Sequence, residues 1–267
     1  MKPTHFILIF FAVVFALSSC VIREPEDKSV LTKGGFQMFM QVENDILEQT
    51  RLFDKVLLVS NYMSTPDSLK WKFHLANFEL FNLKFKQNTC SFMNSNNDTL
   101  YTIITSSKSI NTVDSEWLIK EHYSSYFLRV KCTQKNQWKM SVYKTDSLYS
   151  YYLNSSNLEL TCTDTIAPIR YTNANFDIRG NASLVENNYR YPVVLDYSIS
   201  EVLKHTSIST SIYQGTINIE ASDSISNKKS KAICRFLMTE APSVEISFNG
   251  ITSIYKDWNF DLSEYDF

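Results

Sequence analysis

Val244-Glu245-Ile246-Ser247-Phe248-Asn249-Gly250-Ile251-Thr252-Ser253-Ile254-Tyr255 is the stretch whose reading decides the fold. Apolar and polar residues alternate on both sides of Asn249-Gly250, the dipeptide that supplies positive φ at both central positions of a type I′ hairpin turn. A two-residue loop there pairs Phe248 with Ile251. Val244, Ile246, Phe248, Ile251 and Tyr255 then line one buried face, and Glu245, Ser247 and Thr252 line a wet one.

The same period of two extends backwards along the chain. Ile217 to Ala221 and Ala232 to Phe236 flank the polar Ser226-Asn227-Lys228-Lys229. Tyr126, Leu128, Val130 and Cys132 face Trp138, Met140 and Val142 across Lys135-Asn136. Leu83 to Lys86 and Leu100 to Ile104 flank Asn94-Ser95-Asn96-Asn97-Asp98 and read as one hairpin. Leu158 to Cys162, Phe176 to Ile178 and Pro192 to Tyr197 supply further strands. Short strands in hairpin order predict antiparallel, sandwich-like sheets over residues 80–267, in one or two subdomains.

Ahead of residue 80 the period becomes helical. Phe36, Phe39, Val42, Ile46, Phe53, Val56 and Leu57 recur at steps of three, four and seven, one stripe of a helix from about Gly35 to Tyr62. Asn44, Glu48, Arg51 and Lys55 fall opposite. Thr65-Pro66-Asp67 reads as an N-cap, a proline at the first helical position and an acid in the first turn, which predicts a second helix from Pro66 to Phe78. The expected class is therefore α+β, mainly β, with a helical hairpin over residues 34–79 ahead of the sheets.

The chain opens with Lys2 and His5, an apolar run from Phe6 to Leu17, and then Ser18, Ser19 and Cys20. That run is shorter than the 20 or so residues a spanning helix needs, and the order of parts is that of a signal peptide. Leu17-Ser18-Ser19-Cys20 resembles the lipobox of bacterial lipoproteins. The resemblance covers only these first residues and implies cleavage before Cys20, with acylation of its thiol and of the new amino terminus. More than one acyl chain gives stable anchoring. The implied partner is a membrane, held through the chains on Cys20, and the implied place is the bacterial cell envelope, on the outer membrane and facing periplasm or surface. Residues 1–19 are then a signal peptide. Residues 20–33, with the charged Arg23-Glu24-Pro25-Glu26-Asp27-Lys28, are a solvated tether.

Composition bounds the function. With 44% hydrophobic and 14% aromatic residues, the chain can build a full core. Its 26 basic residues balance 28 acidic ones with no basic block, which argues against nucleic acid as a partner. No His-Glu-x-x-His, Gly-x-Ser-x-Gly, phosphate loop or dinucleotide fingerprint occurs, so no catalytic residue and no cofactor is assigned. Cys90, Cys132, Cys162 and Cys234 are even in number, which is compatible with two disulfides. Their wide spacing and apolar surroundings favour buried thiols, and no zinc site is expected. Glu201 and His205 would share a face if Ser200 to Thr206 formed a helical turn, but no third metal ligand accompanies them.

Tyr149, Tyr151 and Tyr152, placed in a loop after Asp146-Ser147, are the candidate ligand-binding group, because tyrosine rings stack on sugars or anchor a protein partner. The acidic, aromatic stretch from Asp257 to Phe267 reads as a final strand. The function these features favour is a non-catalytic binding module for a glycan or an envelope protein. A pilin-like structural subunit or adhesin is one alternative, and an envelope hydrolase with carboxylates assembled by the fold is another.

Overall fold

The computed structural model describes residues 34–70, 82–93, 96–106, 110, 114–122, 124–146, 151–162, 175–186, 193–206, 212–223, 228–237 and 243–256. Cys20, the tether, the second helix beyond Lys70, Tyr149 and the stretch from Asp257 onward lie outside the described residues.

Among the described residues one long helix, α1 (Gly35–Ser64), precedes thirteen strands. These are β1 (Asn82–Lys86), β2 (Thr89–Met93), β3 (Thr99–Thr105), β4 (Asp114–Glu121), β5 (Ser124–Gln134), β6 (Gln137–Asp146), β7 (Tyr151–Cys162), β8 (Asn175–Glu186), β9 (Val193–Thr206), β10 (Gln214–Asp223), β11 (Lys229–Leu237), β12 (Ser243–Phe248) and β13 (Ile251–Lys256). Each strand pairs antiparallel with its neighbour in the chain, so the order across the sheet is the order in sequence. The protein is mainly β, as expected. The two facing sheets of a sandwich are replaced by one continuous sheet, and α1 packs on its buried face. Alternation reveals that one face of a strand is covered without saying by what.

Helix α1 follows its predicted stripe and ends where predicted to within two residues. Thr65 closes it, donating its backbone N–H to Tyr62 O at 3.1 Å and its hydroxyl to Asn61 O at 2.7 Å. Pro66, which lacks an N–H, follows. Residues 67–70 are again helical, with Lys70 and Asp67 paired at 2.6 Å, and this is the described part of the expected hairpin.

Thirty residues at about 1.5 Å each give α1 a length of about 45 Å. The ten steps from β3 to β13, at about 4.8 Å each, span nearly the same distance. Contacts progress accordingly. Phe36 stacks on Tyr255 of β13 at 4.4 Å, and Phe39 meets Phe236 of β11 at 5.6 Å. Phe53 packs between Trp138 of β6 and Phe176 of β8, and Lys55 reaches Glu121 of β4. The helix thus lies across the sheet.

The sheet also curls around it. Leu52, Asp45, Gln49, Val42, Phe53, Ile46, Thr50 and Glu43 are all buried, and at about 100° per residue they cover about 180° of the helix circumference. A flat sheet would cover a narrower stripe. Asn44 and Arg51 are exposed as expected, whereas Glu48 and Lys55, expected on the wet face, are drawn against the rising walls of the sheet.

Several registers match the sequence reading. Val130 opposes Met140 and Cys132 opposes Trp138, around a turn in which Asn136 has φ 60°. Phe248 opposes Ile251, with φ 48° at Asn249 and 87° at Gly250. Ile251 is nonetheless 74% exposed, because β13 lies at the end of the described sheet. The hairpin expected between Leu83–Lys86 and Leu100–Ile104 contains an extra strand. β1 turns at Gln87-Asn88 onto β2, and β2 in turn pairs with β3. The polar Gln87-Asn88 pair makes this turn with Gln87 at φ 54°, in the left-handed region, without a glycine to announce it.

Candidate functional site

A groove of about 610 Å³ lies on the outer face of β8 to β11, opposite the side that holds α1. Its floor is the backbone of Ala182, Tyr197, Ile219 and Ala232, four residues in register whose side chains are buried on the helix side. Two outward rows line it. Asn181, Ser198, Asn218 and Ile233 stand opposite one another on successive strands, and Ser183, Asp196, Glu220 and Lys231 form the adjacent row. Directly opposed side chains in such pairs have Cβ atoms about 5 Å apart, so each row is a contiguous surface.

The concavity has a local cause. Register shifts occur in β8–β9 between Ile178 and Gly180 and in β9–β10 between Gln214 and Ile217, and bulges of this kind bend and twist a sheet. Gly180 has φ +117°, and a Cβ there would run into the Asn157 carbonyl of β7. Only glycine fits that close approach.

The second row is tied together. Ser183 donates to Asp196 Oδ1 at 2.7 Å, and Lys229 and Lys231 bind Glu220 at 2.6 and 3.3 Å. The lysine hydrogen bonds, Lys229 first, hold the Glu220 carboxyl below the usual carboxylate range. Among the described residues, the side chains of Asn181, Ser198 and Asn218 in the first row make no hydrogen bond.

Beneath the floor lies a buried polar network. Tyr197 donates its hydroxyl to Asp45 Oδ2 at 2.8 Å, Gln49 Nε2 donates to the same oxygen at 2.7 Å, and the Ser156 hydroxyl donates to Gln49 Oε1. Burial raises the Asp45 carboxyl to about 7 and the Tyr197 phenol well above its ordinary value. Nearby, the Tyr126 hydroxyl and Lys144 Nζ both reach Glu48 Oε1, the latter at 3.5 Å. Lys55 lies 3.6 Å over the Tyr101 ring and 2.6 Å from Glu121, and burial pushes its ammonium group below its ordinary pKa. These groups fasten α1 to six strands, β3 to β7 and β9.

The expected site residues fare unevenly. Tyr151 and Tyr152 begin β7, opposite Glu186 and Val185, where a loop was expected; tyrosine favours a pleated strand. Their side chains, like Tyr149 altogether, lie outside the described residues. Glu201 and His205 lie in strand β9, not on a helical turn. Glu201 is exposed and accepts from the Thr216 hydroxyl at 2.6 Å, while His205 is buried. Cys90, Cys132, Cys162 and Cys234 are free thiols, and burial pushes Cys234 up to about 12. Among the described residues no group of three or more His, Cys, Asp or Glu could hold a metal ion, and no helix is long and apolar enough to cross a membrane.

The groove residues escaped the sequence reading because each is an ordinary wet-face position within its own strand. The available signal was weak: the outward positions in the groove on β8, β9 and β10 are Asn, Ser, Asp and Glu, and those on β11 are Lys and Ile. Comparison with family models, curated proteins and solved structures finds no match.

Proposed function

We propose that this chain is a lipid-anchored binding module of the bacterial cell envelope, acylated on Cys20 and taking its ligand in the groove over β8 to β11. The groove is the observation that supports binding: a 610 Å³ concavity with outward polar groups converging on a rigid, doubly hydrogen-bonded sheet. The Leu17-Ser18-Ser19-Cys20 resemblance supports the anchor, and the solvated tether leaves the groove free to meet a glycan or an envelope protein outside the outer membrane or within the periplasm.

A second reading, an envelope hydrolase, is supported by Asp196 and Glu220, which oppose each other across β9 and β10 as a carboxylate pair would.

Metabolic labelling with a clickable fatty acid tests the anchor. Label is expected on the wild type and absent from Cys20→Ala, and protease treatment of intact cells reports which membrane face carries the protein. Label that persists without Cys20, or none on the wild type, would refute the lipoprotein reading.

A further inference from the structure

We infer that the ligand of the groove is a linear, uncharged saccharide lying across strands β8 to β11. The inference rests on the binding-module reading and names its ligand class.

Hydrogen-bonding capacity comes first. Asn181, Ser198 and Asn218 occupy opposed positions on three successive strands, and among the described residues their side chains are unspent. An amide or a serine hydroxyl both donates and accepts, and so does every sugar hydroxyl. Neighbouring strands lie about 4.8 Å apart, close to the length of one pyranose ring along a polysaccharide. β8, β9 and β10 therefore each present one amide or hydroxyl per sugar unit.

Charge points the same way. Asp196, Glu220 and Lys231 in the lining and Lys229 just outside it sum to zero, and both lysines are already paired to Glu220. The groove thus offers no concentrated positive field for a phosphate or sulfate and little net negative field for a cation. Its outward apolar side chain, Ile233, is 48% exposed at the end of the unspent row and can cover the C–H face of a sugar ring. The large anchors that dominate protein interfaces, tryptophan, tyrosine and arginine, are missing from the outward lining. Tyr197 supplies only backbone, since its side chain is buried with Asp45.

Calorimetry and affinity electrophoresis of the full-length chain in detergent test the assignment, with neutral hexasaccharides of glucose, xylose and mannose as probes and a heparin hexasaccharide as the charged comparison. At least one neutral probe should bind. Its affinity should be insensitive to salt, should fall at least about tenfold in Asn218→Ala, and should vanish in Ser198→Trp, which fills the groove. Both positions face outward, and circular dichroism verifies that each variant folds. Neutral-sugar binding unchanged in both variants would overturn the assignment to this groove, as would a salt-sensitive preference for heparin overturn the uncharged class. If no sugar binds, a photo-crosslinking residue at position 218 in cells separates two failures. Capture of a protein that Ser198→Trp abolishes overturns the saccharide and leaves the binding module standing, whereas no capture overturns both.

Discussion

Raising the pH from about 4 to about 8 should weaken this protein, and the carboxyl of Asp45 is the main reason. Burial raises that group from 3.8 to about 7; Glu48 adds to the rise, while the hydrogen bonds from Tyr197 and Gln49 and the charge of Lys144 oppose it. Between those two values the folded state keeps a proton that the unfolded chain has released. Stability is therefore whole below about pH 4, falls as the pH rises toward 7, and levels off beyond. At about 1.4 kcal/mol per pH unit, the interval from 3.8 to about 7 corresponds to a loss of about 4 kcal/mol. A domain stable by only about 5–15 kcal/mol would register that clearly.

Asp45→Asn isolates the effect. The amide keeps an acceptor oxygen for Tyr197 and Gln49 and cannot ionise. Urea unfolding at several pH values from 4.5 to 8, followed by the fluorescence of the buried Trp117 and Trp138, gives the midpoint in each case. The wild-type midpoint should fall across this range and that of Asp45→Asn should stay nearly level. Parallel pH profiles for the two proteins would refute the assignment to Asp45.

Other consequences are testable by the same unfolding measurement or by chemistry. Phe53→Ala empties the space between Trp138 and Phe176 and should cost about 3–5 kcal/mol; a loss below 1 kcal/mol would mean that the helix is not seated there. Glu121→Ala leaves the largely buried Lys55 ammonium without its 2.6 Å partner and should cost about 2 kcal/mol, with Glu121→Gln recovering part of it. Gly180→Ala forces a side chain against the Asn157 carbonyl and should lower the midpoint by more than an ordinary surface glycine substitution, for which Gly250→Ala is not a suitable control because it too has positive φ. A thiol reagent should modify the half-buried Cys132 in the native protein and reach Cys90 and Cys234 only after denaturation; rapid native labelling of all three would contradict their burial.

Much of the fold is legible locally. The stripe from Phe36 to Leu57 predicts α1, and the alternation around Lys135-Asn136 and Asn249-Gly250 predicts β5–β6 and β12–β13 in their observed registers. Where the reading failed, a competing signal was hidden. Gln87-Asn88 turns the chain without glycine or proline, and Asp114–Glu121, which the sequence reading did not place, forms a strand between two stretches it had put in separate hairpins. Glu43, Asp45 and Gln49 were placed on neither face of the helix by its apolar stripe, and they are buried because distant strands bring Tyr197 and Ser156 to Asp45 and Gln49 and the Ile212 N–H comes to Glu43. The groove was invisible for a related reason. Asn181, Ser198 and Asn218 are separated by whole strands, and only pairing sets them side by side.

The sequence by itself determined the mainly β class, the leading helix and the position of several turns. These depend on backbone preferences and on periods of 2 and 3.6 residues, which are properties of short segments. Tertiary structure alone decided that the strands form one curled sheet and not a sandwich, that α1 is the layer covering it, and that bulges near Gly180 and Gly215 hollow its outer face. Those outcomes depend on which distant surfaces meet and on how twist accumulates over successive strands, and neither quantity is written in any one segment.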